Sequence, residues 1–197
     1  VQMELRLELR ALDAQMVAAW RAAFTNEIAV VQGDILAARA DAIVSPANSF
    51  GFMDGGIDLH YVNAFGWEFQ DRLQACIAAS HDGELLVGQA AVIPTGHAAI
   101  PFMVSAPTMR VPSRIGSTVN VYLAFRAALL AVQRHNAAGG VAIRSLLCPA
   151  LGAGIGGMPV ERVARQMWAA WEEVVLACAD WRDSARGILA RHAFLLD

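Results

Sequence analysis

Twice in this 197-residue chain an apolar, strand-like run ends in a cluster of glycines that opens into a helical pattern. The first corner, Gly51-Phe-Met-Asp-Gly-Gly-Ile57, follows the apolar run 42–44; the second, Gly152-Ala-Gly-Ile-Gly-Gly157, follows Ala142–Cys148. Strands handed over to helices in this way belong to layered α/β folds with a parallel or mixed sheet. The corners also constrain chemistry. A helix start leaves backbone N–H groups unpaired at the positive end of the helix dipole, and glycine lets the backbone approach a ligand closely. Each corner is therefore a candidate anion site.

The remaining pattern fits the same architecture. Val1, Met3, Leu5, Leu7 and Leu9 alternate with Gln2, Glu4, Arg6, Glu8 and Arg10, which predicts a strand with one wet face, extending an edge of the sheet. Asp13 caps a helix through Trp20 to about Phe24. Strands are expected at 28–32 and 42–44, a short helix after Gly33-Asp34, and a helix from Ile57 to Ala79. Strands follow at 86–93 and 101–106, then a loop over 107–117. Ser117 or Thr118 caps a helix to His135, Ala142–Cys148 is a buried strand, and Pro159 opens a helix to about Ala179. No linker or repeat divides the chain. Residues 1–197 read as one domain: a three-layer α/β/α sandwich on a mixed sheet, with an extra N-terminal edge strand.

Composition removes several mechanisms. All 15 basic residues are arginines, so Schiff-base, P-loop and general-base lysines are excluded. A net charge of −3 gives no broad footprint for nucleic acid. Cys76, Cys148 and Cys178 are too dispersed for a disulfide framework or a zinc site, and read as reduced, mostly buried thiols of a cytoplasmic protein. No metal or cofactor is expected. No secretory leader pattern is present, and the apolar region near 85–107 is interrupted by Gln89, Pro94, His97 and Pro101, as in buried strands rather than a membrane span. An apolar fraction of 56% leaves homo-oligomerisation open.

Side chains at the corners carry the candidate chemistry. Asn48 can donate to and accept from sugar hydroxyls, and Asp58, at a helix start, can accept from a hydroxyl or a water. Taken singly, Asn48 reads equally as a loop brace and Asp58 as an ordinary helix-start carboxylate.

Three segments in order then resemble the macrodomain family, an ADP-ribose-binding α/β/α module. These are Gly33-Asp34-Ile35, the stretch Asp41-Ala-Ile-Val-Ser-Pro-Ala-Asn-Ser49, and the loop Leu151-Gly-Ala-Gly-Ile-Gly-Gly-Met-Pro159. The resemblance runs from about residue 28 to 180. It implies that Asp34 receives an adenine amino group and that the backbone of Ile35 meets the ring. Asn48 would then touch the distal ribose, Gly55, Gly56 and Ile57 would lie along that ribose and its phosphate, and Gly152, Ala153, Gly154, Ile155, Gly156 and Gly157 would wrap the diphosphate.

Departures from the family limit what carries over. Ser45-Pro46 stands where the family has Asn-Ala. The lysine-dependent branch, which removes ADP-ribose from DNA or acidic residues, has its lysine where this chain has Gly55 and an aspartate where it has Pro159. Gly56-Ile57-Asp58 instead resembles the mono-ADP-ribosyl hydrolase branch, although Met53-Asp54 replaces two of its glycines and Gly156 its usual aromatic. The implied activity is binding of ADP-ribose or an ADP-ribosylated protein, with hydrolysis at C1 of the distal ribose assisted by Asp58 and Asn48. A non-catalytic reader and an ADP-ribose 1″-phosphate phosphatase are the alternatives.

Other residues read as structural. His60, at i+2 from Asp58, is expected to face elsewhere, and His97 has no partner in sequence. Asp54 reads as a turn residue facing solvent. Arg110 and Arg114 flank the 107–117 loop as solvated arginines, and Met167, Trp168 and Trp171 as a packing face. Among Phe50, Phe52 and Phe65, the sequence leaves open which lines the cleft.

Overall fold

A computed structural model describes residues 4–25 and 27–197. Its strands are β1 (Arg6–Ala11), β2 (Ala29–Gln32), β3 (Ala42–Ser45), β4 (Ala91–His97), β5 (Ile100–Ser105) and β6 (Ser145–Cys148). Its helices are α1 (Ala14–Phe24), α2 (Gly56–Phe65), α3 (Glu68–Ser80), α4 (Asn120–Ala137), α5 (Val160–Val174) and α6 (Ala185–Leu196), with one-turn 3-10 helices at Ile35–Ala37 and Asp180–Asp183. The strands form one sheet in the order β2-β1-β6-β3-β5-β4; every pair is parallel except β4 against β5.

Alternation along the strands divides the core in two. Ala42, Val44, Val104, Leu146 and Cys148 point into a cluster with α1, α4 and α5. Ile43, Met103 and Leu147, their neighbours in sequence, point into a second cluster with α2 and α3. The sheet is thus the middle of three layers. Trp20 is completely buried between α1 and α5, with its indole N–H directed at Met167 Sδ at 3.4 Å.

Local signals explain most boundaries. Asp13 accepts from the Gln15 N–H at 2.9 Å and caps α1. Thr118 Oγ1 accepts from the Asn120 N–H at 3.2 Å at the start of α4.

Five expectations are corrected. β1 lies one strand in from the edge, between β2 and β6, and β2 takes the edge. The charged face of β1 arises because the second core cluster takes no residue from β1 or β2, leaving Arg6 exposed and Glu8 and Arg10 partly exposed. Val1, Gln2 and Met3 of the expected strand lie outside the described residues. The expected helix 57–79 is broken at Gly66, whose φ of +90° ends α2 before α3 begins. The strand expected at 86–93 begins only at Ala91, and α5 ends at Val174.

The fifth correction concerns the cysteines: Cys148 is buried, Cys76 half-buried and Cys178 exposed, all three with free thiols. Among the described residues no helix is long and apolar enough to cross a membrane.

Trp20→Ala removes the largest fully buried side chain of the first cluster. It is expected to lower stability by about 3–5 kcal/mol, read as an earlier midpoint in urea unfolding.

Candidate functional site

β3 and β6 are neighbours in the sheet, yet β3 runs on to α2 on one face and β6 to α5 on the other. Where adjacent strands send their connections to opposite faces, a crevice opens at their carboxyl ends. A cleft of about 230 Å³ lies there, lined by residues 46–48, Phe52 and residues 54–58 after β3, by Thr108, Met109 and Pro112 after β5, and by Ala150, Gly152 and Gly154–Gly156 after β6. No lysine, arginine or histidine is among its lining residues, whereas Asp54 and Asp58 are.

The first glycine corner is held rigidly. Asn48 donates through Nδ2 to the Phe52 carbonyl at 2.7 Å, and its Oδ1 accepts from the N–H groups of Phe50 at 3.1 Å and Phe52 at 3.3 Å. Asn48 therefore lines the cleft and braces its own loop, with Oδ1 and one of its two Nδ2 hydrogens engaged by backbone. Met53 is fully buried, and its N–H donates to Gln70 Oε1 at 2.8 Å, which anchors the far side of the loop to α3. Phe52 is left exposed at the cleft mouth. Of the three candidate aromatics it is the one on the cleft: Phe50 lies under the Arg110 guanidinium and Phe65 packs edge-on against His97. Asp54 is exposed, as expected of a turn residue, and also lines the cleft. Beyond it, Gly55 and Gly56 have open space where a side chain would stand.

Asp58, in the first turn of α2, is only 8% exposed. Its Oδ1 accepts from Ser45 Oγ at 2.5 Å. Burial pushes its carboxyl up to about 7, against the lowering effect of the Ser45 bond. A carboxyl that titrates near neutrality on the floor of a cleft can take or give a proton under physiological conditions. Ser45 was passed over as a site residue; the only signal for it was its departure from the family's asparagine.

The second corner is shaped by close approach. A Cβ at Gly156 would stand 2.5 Å from the Gly152 carbonyl oxygen, and one at Gly152 2.7 Å from Ile115 Cδ1. The loop is closed by Gly157 N–H to Gly154 O at 3.0 Å and tied to the strap after β5 by Ile115 N–H to Gly156 O at 2.8 Å. Gly152, Gly154, Ile155 and Gly156 line the cleft, while Ala153 packs against the core and Gly157 lies beneath the Arg114 guanidinium. Arg110 is spent on Glu84, at 2.6 Å and 3.2 Å.

Asp34 and Ile35 sit apart from this lining. Ile35 is buried in the second core cluster. Asp34 caps the 3-10 helix, and His60, exposed and off the cleft lining, meets its carboxylate at 2.9 Å. The His60 bond, then the Leu36 N–H, holds the Asp34 carboxyl below the usual carboxylate range.

Residues 44–167 match the family model described as Macro domain. The chain is a macrodomain. It is 32% identical over 168 residues to an uncharacterised protein of Aeropyrum pernix, covering 82% of each chain. It is also 30% identical over 146 residues to the DNA ADP-ribosyl glycohydrolase of Thermus aquaticus, covering 72% of this chain and 37% of that one. Among solved structures, the macrodomain of Thermus aquaticus DarG superposes with a TM-score of 0.56 at 26% identity, over 87% of this chain and 92% of that one.

In this macrodomain Gly156→Ala is expected to distort the second loop and lower the thermal midpoint by several degrees, since the new methyl meets backbone. Gly154→Ala, which has nothing within 4 Å of its new methyl, is expected to leave the midpoint within about 2 °C of the parent.

Proposed function

We propose that this macrodomain binds ADP-ribose, free or attached to protein, and hydrolyses mono-ADP-ribose linkages at C1 of the distal ribose. The observation that carries the reading is the pair of glycine corners at one crevice, with open space at Gly55, Gly56 and Gly154 and one buried carboxyl, Asp58, on the floor between them. A cleft without cationic side chains receives a diphosphate through backbone N–H groups and the start of a helix. The Thermus aquaticus relative, a DNA ADP-ribosyl glycohydrolase of which the chain spans 37%, supports action on an ADP-ribosyl linkage. This chain holds no lysine, so the reaction proceeds here without an amine.

In the proposed step Asp58, charged, accepts a proton from water as the water oxygen bonds to C1 and the C1 bond to the leaving group breaks. The proton then passes to the leaving group. A positioned base of this kind supplies about 10²–10⁴-fold, and the rest comes from holding the sugar in line. Ser45 fixes the carboxyl by its 2.5 Å bond.

A reader that binds and releases the ligand unchanged is the second interpretation. It is favoured by one observation: Asn48 Oδ1 and one of its two Nδ2 hydrogens are engaged within its own loop.

Calorimetric titration with ADP-ribose, with AMP and NAD as controls, tests binding. Release of ADP-ribose from an automodified protein tests hydrolysis. Asp58→Asn is expected to keep binding within a few-fold and to lower release at least 100-fold; tight binding with no release by the parent selects the reader. The parent rate is expected to rise with pH up to about 7 and then level, following ionisation of Asp58.

Stability runs the other way. With a folded value of about 7 against the ordinary 3.8 of the unfolded chain, the folded state binds the extra proton across that window, and stability falls as pH rises through it. Asp58→Asn is therefore expected to raise the melting midpoint at pH 8 and to change it little at pH 4.

A further inference from the structure

The proposed chemistry draws on Asp58 and Ser45 and leaves a buried hydroxyl beside them unused. β5 is apolar along its length until its last residue, Ser105, which is completely buried. β3 ends in the same way on Ser45. The two strands are parallel with Ser45 beside Ser105, and the Ala106 N–H donates to the Ser45 carbonyl at 2.9 Å. Two residues back, Ile43 and Met103 point into the second core cluster, so alternation puts both serine side chains on that face. Tyr61 Oη donates to the Val44 carbonyl at 3.1 Å and pins α2, which carries Asp58, against the same strand.

Ser45 Oγ has one proton and spends it on Asp58 Oδ1. Its lone pairs still accept. Ser105 Oγ is the complement, a buried hydroxyl with no hydrogen-bond partner among the described residues. On its other side stands Ala91 of β4, which offers no polar side chain. Serines paired on adjacent strands can hydrogen-bond to each other, and a buried donor left without an acceptor costs free energy. A turn of the Ser105 side chain about its Cα–Cβ bond meets the acceptor that its neighbour leaves open.

We propose that Ser105 is a positioning residue for the hydrolysis, acting through Ser45 as the far end of a hydroxyl relay from Ser105 to Ser45 to Asp58. This rests on the reading of Asp58 as the base. While Asp58 is charged, Ser105 donates to Ser45 and Ser45 to the carboxylate, and each bond polarises the next. Once Asp58 holds a proton the chain runs backwards: the carboxyl donates to Ser45, and Ser45 to Ser105. Both hydroxyls only rotate, and no proton leaves the relay. Because hydrogen bonds to a charged acceptor are the stronger ones, the relay favours the carboxylate.

The other titratable groups nearby are neutral, paired or exposed. Tyr61 on α2 and Cys148 at the end of β6 are completely buried, and burial pushes both well up. Gln70, which reaches the loop from α3, carries no charge, and Asp54 on the cleft lining is exposed. Asp34 and His60 are spent on each other within reach of solvent.

The test follows the Asp58 carboxyl by carbon NMR of the full chain labelled at aspartate, the signal assigned by its loss in Asp58→Asn. Ser105→Ala is expected to raise the titration midpoint by about half a pH unit. Ser105→Thr, which keeps a hydroxyl, is expected to titrate with the parent. Ser45→Ala is expected to raise the midpoint further, and Ser45→Ala/Ser105→Ala to match Ser45→Ala alone, because the effect travels through the Ser45 oxygen. Release of ADP-ribose by Ser105→Ala is expected to fall about threefold at pH 6 and to match the parent at pH 9.

A Ser105→Ala midpoint equal to the parent's overturns the proposal. So does a Ser105→Ala shift of the same size in the Ser45→Ala background, which is the mark of lost packing rather than of a relay. Both outcomes concern the carboxyl alone and leave the proposed function standing. A parent that releases no ADP-ribose removes the hydrolysis, while the expected NMR shifts still uphold the relay.

Discussion

The cleft depends on a constraint of topology: two adjacent parallel strands, β3 and β6, whose chains depart to opposite faces of the sheet. That divergence is what separates the two glycine corners and turns the start of α2 and the loop before α5 toward one space. Because the helices lie on different faces, each corner is braced from its own side, by α3 through Gln70 and by the strap after β5 through Ile115. The anion-binding character then follows from backbone alone. It tolerates the complete lack of lysine and the two aspartates on its lining.

Much of this was legible in the chain because it is written in local chemistry. Asp13 caps α1 through the Gln15 N–H, and Thr118, just before α4, accepts the Asn120 N–H, so both helices start where the sequence places them. The glycine corners announced themselves by composition, and Asp58 by its place just beyond the first. What remained hidden depends on partners distant in sequence. The interior position of β1 was masked because the second core cluster takes no residue from it, and a strand with one charged face reads like an edge. Gly66 carries no mark that distinguishes a helix break from a tolerated glycine. Asn48 suited both a sugar contact and a loop brace, and only the course of residues 50–52 reveals the brace. The meeting of His60 with Asp34 joins positions 26 residues apart and had no signal in either neighbourhood. Helix α6 was missed for a related reason: Ile188, Leu189 and Phe194 remain exposed, so no buried stripe marks its period, and it is held by the Ser184 cap and the buried Leu195.

Asp58, the position proposed for proton transfer, is held in a form that works against stability. Burial alone would drive its carboxyl to the neutral form, and the hydroxyl of Ser45 is the one side-chain bond that works against this. Its folded value near 7 means that the folded protein carries a carboxyl poised between forms, whereas an unfolded chain at neutral pH would simply ionise it. An amide at that position would suit folding better and proton transfer not at all.

The three hydrogen bonds that Asn48 makes to the backbone of residues 50–52 have a further consequence at the mouth of the cleft. They present the Phe52 ring to solvent on a main chain already ordered. Docking against that ring loses almost no backbone freedom on the protein's side, so the conformational penalty of association falls mainly on the incoming molecule. Such an entrance discriminates among visitors by their stiffness: a rigid planar group settles on it readily, while a floppy peptide of equal contact area is held more weakly.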